Sequence, residues 1–267
     1  MEKLVGIVIG FIVLSVVFAV LEKLFAAKPE QKTFRSGYKT DLIYWFFTPL
    51  VSKAVASISA GIVIAIMFQV RPRDVKDYVY MRETWITDLP TGMQILMLAI
   101  IGDLIGYWTH RWFHGRRLWK YHAIHHCSEE LDWLSSVRLH PVNSLLTTII
   151  QAVVLLGIGF NSKIVAAYIP FISLYAIALH ANVTWGFGWL GQVISSPRFH
   201  RWHHTSQEEG LDKNFAGLFP WIDRIFGTYY MPKGELPEKF GLHNEKIPEN
   251  FWGQMMYPFR KKKKRGA

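Results

Sequence analysis

The sequence predicts an all-α integral membrane protein of about three spans plus a helical hairpin, with a cytoplasmic histidine-rich helical cap. Three observations carry that prediction. Of 267 residues 51% are hydrophobic and only 19% charged, against roughly 25% charged in soluble domains, and mean hydropathy is positive at +0.15. Apolar runs long enough to cross a bilayer recur along the chain. Ten of the 11 histidines fall between His110 and His204. The 15% aromatic content, with 11 Trp, agrees, because Trp and Tyr favour membrane–water boundaries. This composition excludes a disordered chain, and the single cysteine, Cys127, excludes an intrachain disulfide framework or a thiolate metal cluster. Thirty Lys+Arg against twenty Asp+Glu leave a net charge of +10. In a chain this apolar the excess is read as basic loops holding the cytoplasmic side and touching anionic lipid, not nucleic acid.

The first run, Leu4 to Leu21, is interrupted only by Ser15. It is longer than a signal-peptide core of about 7–15 residues, so it reads as an anchor helix. The second is Ala54 to Val70, preceded by Tyr44, Trp45, Phe46 and Phe47; Pro49 and Lys53 put that aromatic stretch in the interface or kink it into the span. The third runs from about Leu89 to Trp108 and contains one acid, Asp103. Pro141 to Phe160 and Ile164 to Leu179 are separated only by Asn161, Ser162 and Lys163, which reads as a hairpin returning to the face it left. Lys28, Lys32, Arg35 and Lys39, then Arg111, Arg116, Arg117 and Lys120, and the six-residue basic run Arg260 to Arg265 all belong in the cytoplasm by the positive-inside rule. The N-terminus is then outside, and the loop from Arg71 to Asp88, with four basic residues, runs against the rule. The chain divides into an anchor region (1–94), a histidine-rich domain (95–232) and a polar, basic tail (233–267).

The histidine spacing is more informative than the number. His110 and His114 stand at i, i+4; His122, His125 and His126 form H-x-x-H-H, as do His200, His203 and His204. Residues three and four apart share a helix face, so each box points imidazoles at one spot. Neutral imidazole is the commonest side-chain metal ligand and suits zinc, copper, iron and nickel. Eight box histidines exceed the four ligands of a tetrahedral ion, so two ions are the natural count. The zinc-protease H-E-x-x-H is absent, since Arg111, Ala123 and Arg201 follow the first His of each box. The Glu-x-x-His of carboxylate di-iron bundles is absent too. A histidine-dominated site at the membrane edge suits oxygen activation at non-haem iron, although spacing alone does not separate iron from zinc.

D-L-I-G-Y-W-T-H-R-W-F-H (Asp103 to His114), H-A-I-H-H (His122 to His126), R-L-H-P (Arg138 to Pro141), S-P-R-F-H-R-W-H-H (Ser196 to His204), D-K-N-F-A from Asp212 and W-I-D-R-I-F-G-T up to Thr228 resemble the sterol desaturase/fatty acid hydroxylase superfamily over roughly residues 95–232. The resemblance implies a membrane-bound, iron-dependent oxidase with two Fe2+ ions and O2 as co-substrate, which hydroxylates or desaturates lipid C–H bonds. It also implies His180 as a ninth ligand beside His110, His114, His122, His125, His126, His200, His203 and His204. Fatty acyl, sphingoid and sterol-type substrates stay open, as does the membrane: endoplasmic reticulum in a eukaryote, inner membrane in a bacterium.

His140, in R-L-H-P, is either a ligand or a partner that fixes another imidazole's tautomer. Asp103 lies about two turns below His110 on the same face; an intramembrane acid is a functional hypothesis by default, and Asp103 is expected to accept an imidazole N–H or else to make a helix-packing bond to a Tyr or Trp. Cys127 is expected to be a packed thiol and His243 a surface residue. Trp108, Trp112, Phe113, Phe199 and Trp202 wall the site or simply fill a core. A membrane metal transporter is the alternative from another class and calls for ligands near the midplane of several spans; a zinc hydrolase is a third. The chain carries no G-x-G-x-x-G after a strand, no C-x-x-C-H and no cluster-binding cysteine set, so a cytochrome b5 or ferredoxin type of electron donor is expected to dock in trans.

Overall fold

The structure, a computed structural model, describes residues 1–260; the expectation for Lys261 to Arg265 lies outside the described residues. The described residues form eleven α-helices joined by short 3₁₀ and π turns, with no strand beyond the isolated bridge pairs Ala26–Val183 and Thr205–Phe240. Five helices are long and apolar enough to cross a membrane, as expected for three spans and a hairpin. They are α1 (Glu2–Leu24), the continuous helix Tyr38–Phe68, α5 (Thr91–Phe113), α7 (Pro141–Ile158) and α8 (Ser162–His180). The protein is an integral membrane protein.

α1 is apolar on every face and buries only Phe18. It runs antiparallel to α2 (Tyr38–Phe47): Trp45 Nε1 donates to the Ile7 carbonyl at 3.1 Å and Lys3 Nζ to that of Pro49 at 2.9 Å. α2 continues through a π turn, Thr48–Ser52, into α3 (Lys53–Phe68). Pro49 supplies no N–H to the ladder, and a wider turn there absorbs the missing bond. The expected kink into the span is thus a π turn inside one helix.

α3 lies along α7. Met67 Cε packs 3.3 Å from the Cβ position that Gly157 leaves empty. α4 (Val75–Met81) folds under this pair through Val75 and Val79, against Ile64 and Leu156. Gly159, at φ +124°, turns the chain from α7 towards α8, and the Asn161 side chain caps the N–H of Ile164. Arg82, Trp85 and Thr84 donate to the carbonyls of Leu156, Ile158 and Gly159. The hairpin turn is therefore sealed at the end of the bundle opposite the histidines.

The histidine end is built from the last turns of α5 and α8 with four short helices: α6 (Trp119–His126), α9 (Pro197–His203), α10 (Pro220–Ile225) and α11 (Phe251–Met256). The anchor region is not separate from it. Arg35 Nε donates to Asp132 Oδ2 at 2.7 Å and its Nη2 to Asp41 Oδ2 at 2.8 Å, while Arg138 Nε donates to Asp41 Oδ1 at 2.6 Å. All four residues are buried, and each buried charge has its counter-charge, which is the condition for tolerating it. The segment read as a polar tail also folds back: Phe251 packs against Tyr44 and Ile124, and Phe240 and Gln254 are buried. Its few apolar residues cover the cap.

Candidate metal centre

α5 extends past Trp108 to Phe113 and so carries His110 on its last turns, with His114 as its C-cap. The donor atoms of His110, His114, His122, His126 and His203 all lie within 4.8 Å of one another. Those of His125, His180, His200 and His204 form a second group within the same limit. The structure thus brings together all nine histidines named above, and it divides each H-x-x-H-H box between two spots. The cause is helical rotation: neighbours on a helix diverge by about 100°, so His122 and His126 face one group while His125 faces the other. On α9, likewise, His203 joins the first group and His200 and His204 the second. The two groups are adjacent, with the rings of His126 and His204 stacked at 4.3 Å.

Hydrogen bonds on the outer nitrogens set the tautomers. Nδ1 of His110, His125, His180 and His203 lies 2.9, 3.2, 2.7 and 2.8 Å from the carbonyl oxygens of Phe215, Arg138, Ala176 and Lys213. A carbonyl only accepts, so each Nδ1 carries the proton and each Nε2 presents a lone pair. His122 and His114 are held in the same sense by Asn143 Oδ1 and Asp212 Oδ1, both at 2.9 Å. Burial holds His122, His125, His126, His200, His203 and His204 well below their ordinary pKa of 6.5, so these rings are neutral at pH 7.

The lone pairs have no protein partner. Nε2 of His110, His114 and His203 is buried without a hydrogen bond. The Nε2 atoms of His125 and His180 face each other at 3.2 Å, as do those of His180 and His200 at 3.2 Å and of His200 and His204 at 3.1 Å. For His125 and His180, whose Nδ1 protons are both committed to carbonyls, two neutral acceptors at that separation repel unless a cation lies between them. Metal–nitrogen bonds of about 2.1 Å at tetrahedral or octahedral angles place neighbouring nitrogens about 3.0–3.4 Å apart. Both groups therefore fit a bound metal ion on donor chemistry and on spacing.

The two companion residues sit elsewhere than expected. Asp103 accepts no imidazole N–H; Oδ1 takes the backbone N–H groups of Gly217 and Leu218, and Oδ2 that of Phe219. A carboxylate two turns below His110 finds this non-helical loop before it finds a ring, and it reaches His110 only through the loop, which carries the Phe215 carbonyl. His140 joins neither group. Its Nδ1 accepts the N–H of Val142, capping α7, and its Nε2 lies 3.3 Å from the Met255 carbonyl. Cys127 donates to the Ile124 carbonyl, a packed thiol as expected, and His243 lies outside both groups, beside the Ser206 carbonyl. Asn143, Asp212 and the carbonyls of Arg138, Lys213 and Phe215 were not singled out from the sequence. Only their membership of R-L-H-P-x-N and D-K-N-F hinted at them, since a carbonyl leaves no residue-type signature.

The family model described as fatty acid hydroxylase matches residues 95–228, which contain both histidine groups. The chain belongs to the fatty acid hydroxylase family. It is 28% identical over 188 residues to ornithine lipid hydroxylase OlsE of Rhizobium tropici, covering 68% of this chain and 55% of that protein. It is 28% identical over 184 residues to the alkylglycerol monooxygenase of Danio rerio, covering 67% and 41%. The Delta(7)-sterol 5(6)-desaturase of Gibberella zeae is 24% identical over 160 residues, covering 60% and 43%. The matched part of the chain thus spans about half the length of these curated relatives. No solved structure matches the chain.

Proposed function

We infer that this family member is a membrane-bound di-iron oxidase that uses O2 and externally supplied electrons to hydroxylate or desaturate an unactivated C–H bond of a lipid. The observation that carries the reading is the pair of buried imidazole groups whose lone pairs converge without protein partners. Iron held there supplies reduction of O2 and attack on a C–H bond that no protein side chain can activate. The chain's residues do the rest: nine imidazoles would hold the metal, Nδ1–H bonds fix the orientation of six of them, and burial keeps the rings neutral and excludes water. The ligands sit at the ends of α5 and α8 and on short helices, whereas the transporter reading asks for ligands at the midplane of several spans.

The substrate is an apolar chain drawn from the bilayer, in keeping with relatives named for ornithine lipid, alkylglycerol and sterol. The histidine end faces the cytoplasm, with the catalytic unit at 95–232. Each turnover takes up two electrons, which a cytochrome b5 or ferredoxin type of carrier delivers in trans. The exposed Arg111, Arg116 and Arg117, with the half-buried Lys120, suit an acidic redox protein steered by charge. Lipid profiling of cells with and without the protein tests the reading: a product shifted by about +16 (hydroxylation) or about −2 (desaturation) is expected from such a cofactor. An unchanged lipid profile despite full metal loading would overturn it.

A further inference from the structure

Two largely irregular stretches, carrying only a 3₁₀ turn (Gly188–Gln192) and the short α10, lie beside α5 and α8 well below the histidines. Asp103, about 10 Å down α5 from His110, receives the N–H groups of Gly217, Leu218 and Phe219 at 2.9, 3.0 and 2.7 Å. Asp223 on α10 receives those of Phe215 and Ala216 at 2.8 and 2.9 Å. Two buried carboxylates thus satisfy five consecutive backbone donors. Tyr175, on α8 about 7 Å below His180, donates to the Ser195 carbonyl, and the Ser195 N–H donates to the Leu218 carbonyl at 2.8 Å. This places 185–195 and 215–226 alongside the membrane-spanning parts of α5 and α8. Irregular backbone persists at such a depth only when its polar groups are satisfied within the protein, and for residues 215–219 the two aspartates accomplish this.

The outward face of these stretches is apolar. From Trp185 to Ile194 there is no charged residue. Trp189 is 80% exposed and Ile225 66%, with Leu190 and Val193 also open. The face meets the exposed apolar surface of α5 where Trp108 lies 4.8 Å from Phe226, and Leu104 on α5 and Leu174 on α8 are exposed as well. Arg198 and Arg224 flank it, with their guanidiniums donating to the carbonyls of Thr184 and Gln192.

We propose that residues 185–195 and 215–226 form a re-entrant element immersed in the leaflet nearer the histidines, with Trp189, Leu190, Val193 and Ile225 against the acyl chains. The element joins the lipid surface to the metal centre, because its Phe215 carbonyl anchors His110. The proposal rests on the membrane reading of the spans and not on the chemistry of the centre.

The test uses the full-length protein in phosphatidylcholine vesicles with brominated acyl chains, comparing wild type with W189F. The emission removed by W189F is expected to be strongly quenched by the brominated lipid and untouched by aqueous iodide. I225W is expected to add emission with the same two properties. Quenching by iodide but not by brominated chains would overturn the proposal. So would shielding from both quenchers, which would mark the face as a contact with a second copy of the chain. Neither readout depends on turnover, so a failed lipid profile leaves this result standing.

Discussion

His125 and His180, fifty-five residues apart in the chain, face each other through Nε2 atoms 3.2 Å apart while their Nδ1 atoms donate to the carbonyls of Arg138 and Ala176. Each proton is committed outward, so two lone pairs converge in a buried space and only a cation relieves their repulsion. Metal binding and fold stability are therefore coupled at this end of the molecule.

The purified protein is expected to hold two metal ions per chain, and chelation should lower its unfolding temperature as well as its turnover. Iron should restore both. Elemental analysis alongside a thermal melt decides this; a single tight ion per chain, or activity with zinc alone, would refute the di-iron assignment. Zinc found after overexpression is not decisive, since divalent affinity rises from iron towards copper and is high for zinc.

Alanine at any of His110, His114, His122, His125, His126, His180, His200, His203 or His204 should abolish turnover and reduce metal content. H243A should be silent. H140A should keep its metal and lose about 1 kcal/mol of stability, the usual cost of a lost helix cap. Metal loss in H140A would return that residue to the ligand set.

Changes at the outer nitrogens should be graded. N143A and D212A remove the acceptors of His122 and His114, and each should weaken metal binding roughly 10–100-fold without unfolding the protein. Competition with a chelator measures it, and wild-type affinity in both variants would show that ring orientation is set by packing alone.

D103L should act on the first histidine group before the second. Losing the carboxylate strands three backbone N–H groups, at about 1–3 kcal/mol each, and frees the loop that carries the His110 anchor. Loss of one ion per chain with the other retained is expected. Equal loss of both would mean that the loop supports the whole cap.

Acid should destabilise the metal-free protein. His122, His125, His126, His200, His203 and His204 are held well below 6.5 by burial when folded, whereas in the unfolded chain they titrate near the ordinary value. Above about pH 7 both states are neutral there and the groups contribute no pH dependence. As pH falls through 6.5 the unfolded state takes up protons that the folded state refuses, so stability drops. Denaturant unfolding between pH 7.5 and 5 should show the midpoint falling; a flat profile would mean that the folded cap admits protons.

The sequence by itself determined the spans, the hairpin and the histidine boxes. Apolar length and the i, i+3, i+4 spacing are local properties, legible without knowing which segments meet. Only the tertiary structure decided how those histidines are shared. The division of His122 and His126 from His125 depends on the roll of α6 against α5 and α9, and spacing constrains the roll of no single helix. It also decided the fate of Asp103, because the partner of a buried carboxylate is whichever donor the fold brings within reach. Here that donor is the backbone of Gly217 to Phe219, more than a hundred residues away and invisible to any pattern of side chains. The same holds for the Arg35–Asp41–Arg138 network, which ties the first loop to the cap. Side-chain chemistry is written residue by residue, whereas backbone acceptors and buried counter-charges exist only once distant segments are packed together.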